Sequence, residues 1–156
     1  MPINQRVVIK KVTKIRELVE RMENMDFSQE QFFDEHEPYQ DALVFELIQC
    51  VELATDIATH IISSEKLPRP DTHREVFQIL GKNKYLSAET AEAMAKAVGF
   101  RNIAIHDYDD EKFDIKEVYR DYKDDIRDTK KFCAEVVEIL EKGRQSFSHT
   151  PKKKLL

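Results

Sequence analysis

The chain has 156 residues, which fits one domain with a sizeable single core, and 35% of them are charged. With 3 glycines, no tryptophan and an abundance of Glu, Lys, Ala, Leu and Ile, the composition favours helices over sheets. The formal charge of −5 argues against a general nucleic-acid binder held by a net basic surface, so any RNA contact needs a local basic patch.

The first helix is predicted from about Gln5 to Asn24, with Val8, Val12, Ile15, Leu18, Val19 and Met22 on one face. Arg6, Lys10 and Lys14 recur on it at i, i+4 intervals. Their ordinary role is a solvated face, yet they form the best local stripe for RNA phosphates. Ser28-Gln29-Glu30-Gln31 offers a capping box for a short turn before Pro38. From Pro38 to Ser64 a long helix presents Leu43, Leu47, Val51, Ala54, Ile57, Ala58 and Ile61, a face wide enough to meet several neighbours or a second subunit. Leu67-Pro68-Arg69-Pro70 breaks the chain. Thr72-His73-Arg74-Glu75 then caps a short helix ending near Gly81-Lys82-Asn83, and Ser87 opens a fourth helix through Met94 and Val98. Asp114-Ile115-Lys116-Glu117 caps the last helix, whose stripe is Ile115, Val118, Tyr122, Ile126, Cys133, Val137 and Leu140. Along it, Arg120, Lys123, Arg127 and Lys131 run beside Asp121, Asp124, Asp125 and Asp128, so internal pairing consumes that basic stripe.

Gly143 is expected to end the last helix, giving one helical domain over 1–143 and a basic, flexible tail over 144–156 that carries Lys152-Lys153-Lys154. The expected fold class is all-α: an antiparallel bundle of four long helices plus a short one. Cys50 and Cys133 sit among apolar neighbours in helical patterns and read as buried thiols. No apolar run reaches about 18 residues and Met1–Lys11 lacks an apolar signal core, so the expectation is a cytoplasmic protein without a membrane anchor.

The densest chemistry lies at 101–108, Arg-Asn-Ile-Ala-Ile-His-Asp-Tyr, directly behind Gly99-Phe100. Arginine is a bidentate phosphate donor that stays charged at any working pH, and histidine exchanges protons near neutrality. Together they suit phosphodiester chemistry that uses neither metal nor cofactor. His36, His73 and His149 show no metal-ligand spacing, and Asp107, Asp109, Asp110 and Glu111 read as a solvated capping loop. His60 reads as a satisfied core or interface histidine.

The stretch from Cys50 to Tyr108 resembles the HepT-like family of HEPN-fold ribonuclease toxins. Three blocks carry the likeness: Cys50–Ile62 (CVELATDIATHII), Pro68–Leu80 (PRPDTHREVFQIL) and Gly99–Tyr108 (GFRNIAIHDY). The last holds the R-x-x-x-x-H-x-Y signature as Arg101, His106 and Tyr108, and the likeness spans roughly Val8 to Lys142. The resemblance implies a toxin paired with a minimal nucleotidyltransferase antitoxin of the MntA type, which silences the nuclease by adding AMP units to the tyrosine at position 108. One departure is the loop 109–113, acidic and about two residues longer than this family's pattern, which alters the approach to that phenol.

Spacing sets a geometric problem. At ~100° per residue, Arg101 and His106 point ~140° apart on a continuous helix, whereas Tyr108 returns to within ~20° of Arg101. Either the helix unwinds near His106, which Asp107-Tyr108-Asp109-Asp110 would permit, or the site draws on two chains. RNA transesterification needs a base for the ribose 2′-hydroxyl and an acid for the departing 5′-oxygen, and a two-fold interface would supply both from His106 and its symmetry mate. The expectation is a homodimer built on the Pro38–Ser64 helix and the one Ser87 opens. Arg101 and His106 are its catalytic groups, Asn102 positions the phosphate or orients His106, and Tyr108 is the modification site. The rival expectation is a non-catalytic helical accessory subunit that holds substrate for a minimal nucleotidyltransferase.

Overall fold

The computed structural model describes residues 2–25, 30–108, 110 and 113–148, and among them holds six helices and no strand. They are α1 (Gln5–Glu23), α2 (Glu30–Glu35), α3 (Glu37–Ser64), α4 (His73–Lys82), α5 (Ala88–Asp107) and α6 (Ile115–Ser148). The starts fall where capping chemistry puts them. Asn4, Thr72 and Ser87 accept from the backbone N–H three residues on, and the Asp114 carboxylate accepts from Lys116 N–H at 3.0 Å. Pro38 sits in the first turn of α3, where its missing N–H costs nothing.

Cross-helix contacts fix the topology. Lys11 meets Asp56 and Arg21 meets Glu46, so α1 and α3 run antiparallel. Arg101 meets Glu52 and Tyr108 meets Asp41, so α3 and α5 do too. Ser87 and Thr90 both donate to the Glu135 carboxylate, at 3.1 Å and 2.5 Å from their hydroxyls, which puts an anion on the N-terminus of α5 and docks it to α6. Helix α4 lies on α5 at close range: a Cβ at Gly81 would come within 2.6 Å of the Ala91 Cβ. The α1 and α3 stripes expected from periodicity are buried throughout, and Phe77 and Phe132 meet edge to face at 5.8 Å in the core.

Two expectations need correction. The segment before Pro38 is a sixth helix, α2, rather than a turn. Phe33 is fully buried with its ring 5.0 Å from Tyr119, and the Gln40 amide donates to the Phe33 and Asp34 carbonyls at the helix end. Ser28 and Gln29 of the expected capping box lie outside the described residues. Helix α6 also continues through Gly143 to Ser148. A mid-helix glycine costs only ~1 kcal/mol, which a long helix tolerates. Cys50 and Cys133 are reduced and buried, and burial pushes their thiols up to about 12 and about 11. No described helix is long and apolar enough to cross a membrane.

Candidate active site

The signature residues occupy the last two turns of α5. That helix is unbroken to Asp107, and Tyr108 keeps helical angles of φ −54 and ψ −40. Unwinding at His106, one of the two ways to bring it to Arg101, is therefore not what this chain does. The propensity argument loses to anchoring: Ala104 is buried, and the Tyr108 ring packs 5.1 Å from Phe113.

Arg101 is the more enclosed of the two principal groups, its side chain 22% exposed. Its Nε donates to Glu52 Oε1 at 2.7 Å and its Nη1 to Asn102 Oδ1 at 3.1 Å. Two acceptors thus fix the plane of the guanidinium, while among the described residues Nη2 carries no such tether. The contact Asn102 makes here is thus with Arg101, as an acceptor. The pair is half-exposed, so it contributes little to stability and mainly sets direction.

His106 is exposed on α5. Apolar side chains are exposed on α5 and α3: Ile103 at 47% and Ile105 at 46% on α5, and Phe45 at 60% on α3. Phe45 falls between Asp41 and Glu52, the two α3 residues that tether α5. Tyr108 is half-buried, and its hydroxyl donates to the Asp41 carboxylate, so packing and an addressable phenol coexist at one residue.

The other face of α5 is acidic. A cavity of about 360 Å³ opens between α3, α5 and α6, with Glu89, Glu92, Asp125 and Asp128 among its lining. Those four carboxyl groups disfavour an anion on that side of α5. Arg6, Lys10 and Lys14 are exposed on α1, which packs on α3 and α6. Lys14 spends part of its charge on Glu17 at 3.9 Å. On α6, Arg127 pairs with Asp124 at 3.1 Å, as pairing within the helix predicts, whereas Lys131 reaches across to Glu89 on α5 at 2.8 Å. His60 is satisfied structurally: its Nε2 accepts from Asn4 N–H at 3.0 Å, ahead of α1. Among the described residues no cluster of His, Cys, Asp and Glu could hold a metal ion; Asp109 and Glu111 of the acidic loop lie outside them.

Sequence reasoning missed Glu52 and Asp41. Both are carboxylates on α3 at the right height to meet α5, and Glu52 even falls within one of the blocks quoted above. Nothing local marks them, because the partner that gives each its role is about fifty residues or more away in sequence.

The ribonuclease HepT-like family matches residues 9–136, and the chain belongs to that family. It is an endoribonuclease by class. The chain is 31% identical to the mRNA nuclease HepT of Shewanella oneidensis over 109 residues, covering 70% of this chain and 81% of that protein. It is 38% identical to the tRNA nuclease HepT of Aphanizomenon flos-aquae over 72 residues, 46% of this chain and 49% of that one. The solved structure of the tri-AMPylated Shewanella oneidensis HEPN toxin in complex with MNT antitoxin superposes with a TM-score of 0.77 at 26% identity, covering 85% of this chain and 97% of that one.

Proposed function

We propose that this chain is the toxin of a toxin–antitoxin pair, a dimeric endoribonuclease that cleaves RNA by transesterification without a metal ion and is silenced by nucleotidyl transfer to Tyr108. The observation that carries the reading is the splay of Arg101 and His106 on an unbroken helix whose surroundings are exposed and apolar. One chain leaves them ~140° apart, so convergence on one phosphate falls to a second copy seated on α3 and α5 over Phe45, Ile103 and Ile105.

In that cleft one His106 removes the ribose 2′-hydroxyl proton as the oxygen attacks the adjacent phosphorus. The His106 of the second copy protonates the departing 5′-oxygen, leaving a 2′,3′-cyclic phosphate and a 5′-hydroxyl. Arg101, held in plane by Glu52 and Asn102, donates to the phosphate oxygens as their charge develops. The solved complexes of relatives with MNT antitoxin, one of them tri-AMPylated, support a minimal nucleotidyltransferase as regulator. Attack of the Tyr108 oxygen on the α-phosphorus of ATP, with loss of the phenol proton and release of pyrophosphate, would end its hydrogen bond to Asp41 and place a phosphate beside Arg101, nearly in line with it on the helix.

Total RNA incubated in EDTA with wild type, Arg101→Ala and His106→Ala tests the nuclease. Wild type should give discrete fragments with cyclic phosphate ends, and each variant should lose at least ~100-fold in rate. Cleavage abolished by the chelator and restored by Mg²⁺, or retained by His106→Ala, overturns the mechanism. RNA binding without cleavage would favour the accessory-subunit reading. After coexpression with a minimal nucleotidyltransferase of the MntA type, mass spectrometry should find AMP on Tyr108; silencing that persists in Tyr108→Phe would refute that part.

A further inference from the structure

We propose that Arg74, lying across Gly99 at the end of α4, is a second RNA-phosphate contact that extends the cleft beyond His106; this rests on the nuclease reading above. Gly99 is the reason the guanidinium can be there. A Cβ at that position would stand 2.6 Å from Arg74 Nη2 and 3.8 Å from its Cζ, so the guanidinium occupies the space any other side chain would fill. Gly99 is thus a seat for an arginine from the neighbouring helix.

The placement is specific. Gly99 and His106 are seven residues apart, within ~20° of one another around α5 and ~10 Å along it. Side chains on a helix lean toward its N-terminus, which carries the imidazole back toward Gly99 and narrows that gap. Helices α4 and α5 run antiparallel, with Gly81 against Ala91 and Arg74 against Gly99. Helix α4 therefore begins beside the stretch of α5 whose exposed residues include Asn102, Ile103 and His106.

Arg74 is also uncommitted. It is exposed and, among the described residues, pairs with no carboxylate, whereas Arg101, Arg127, Lys130 and Lys131 are each held by one. A seated, unneutralised guanidinium suits a phosphate better than a lysine on a free stem, because its donors are already in plane. The net charge of −5 and the acidic cavity on the other side of α5 make this the approach a polyanion finds open. RNA crossing the cleft would place the cut phosphate at Arg101 and His106 and a flanking one at Arg74.

The test is binding of a single-stranded RNA oligonucleotide to the full-length His106→Ala protein, which holds RNA without cutting it, with further substitutions in that background. Arg74→Ala should weaken binding roughly 5- to 10-fold near 0.15 M salt and flatten the slope of log K against log salt by about 0.7, the loss of one single-strand phosphate contact. Gly99→Ala should act in the same direction with the melting temperature unchanged or raised, since alanine favours the helix while its methyl unseats Arg74. The two losses should not add. Lys96→Ala, removing a cation on the acidic side of α5, should leave the slope unchanged. Arg74→Ala and Gly99→Ala both within twofold of the parent, or an equal loss from Lys96→Ala, overturns the Arg74 site while wild-type cleavage keeps the nuclease reading intact. Failure of wild type to cleave or of any form to bind RNA overturns both.

Discussion

At the scale of single residues, chemistry is set by what each side chain faces rather than by its type. Arg101 acquires direction from Glu52, and Tyr108 from Asp41, both across the α3–α5 seam. Asp125 on α6 shows the same dependence. Burial, then the neighbouring Asp121, Asp128 and Asp124, push its carboxyl from 3.8 up to about 6. The folded chain therefore keeps a proton that the unfolded chain has released between those two values, and stability falls as pH rises through the window. At pH 7 the ionised, crowded carboxylate is a standing cost on the order of 1–3 kcal/mol. Asp125→Asn should recover that amount in urea unfolding at pH 7 and about half of it at pH 5. An equal or absent gain at the two values would contradict this account. Glu46 is raised likewise by burial, partly offset by Arg21 at 3.2 Å.

Among the elements, boundaries were legible wherever a cap or a proline wrote them. Thr72, Ser87, Asp114 and Pro38 mark helix starts by chemistry that acts over three residues, and Asn4, which the sequence reading does not single out, caps α1 in the same way. Ends were less legible because they rely on geometry that several residues can adopt. Helices α3 and α4 close with Lys66 and Lys84 at φ 55 and φ 67, and the N–H of the next residue returns to the Ile62 and Leu80 carbonyls at 3.0 and 2.9 Å. A lysine there pays roughly 1 kcal/mol for a conformation glycine takes freely. Lys84→Gly should therefore raise stability by about 0.5–1 kcal/mol, a gain of a few degrees in thermal unfolding. A lower melting temperature would show that the closure is not strained. At Gly143 the inference from composition went the other way and failed: glycine permits a helix end without requiring one.

For the whole molecule, the decisive feature is a surface. Phe45, Ile103 and Ile105 are exposed on α3 and α5, the two helices that carry the signature residues and their tethers, and an apolar patch there is what a partner would cover. If a second copy covers them and completes the cleft, Phe45→Glu should give a monomer with unchanged helix content and at least ~100-fold slower RNA cleavage. Sedimentation and the cleavage assay check the two halves together. A wild-type protein that sediments as a monomer and cuts RNA would remove the composite site and require another way of joining Arg101 to His106.

The amino-acid order by itself determined the helical stripes, most helix starts, the family and the cluster at 101–108, because periodicity, caps and short motifs act within a few turns of chain. Only the tertiary structure decided that α5 stays helical past His106, that Glu52 and Asn102 orient Arg101, that Asp41 holds Tyr108, and that Gly99 seats Arg74. Each of those depends on burial, or on a neighbour from another helix, supplying free energy that local propensity does not contain.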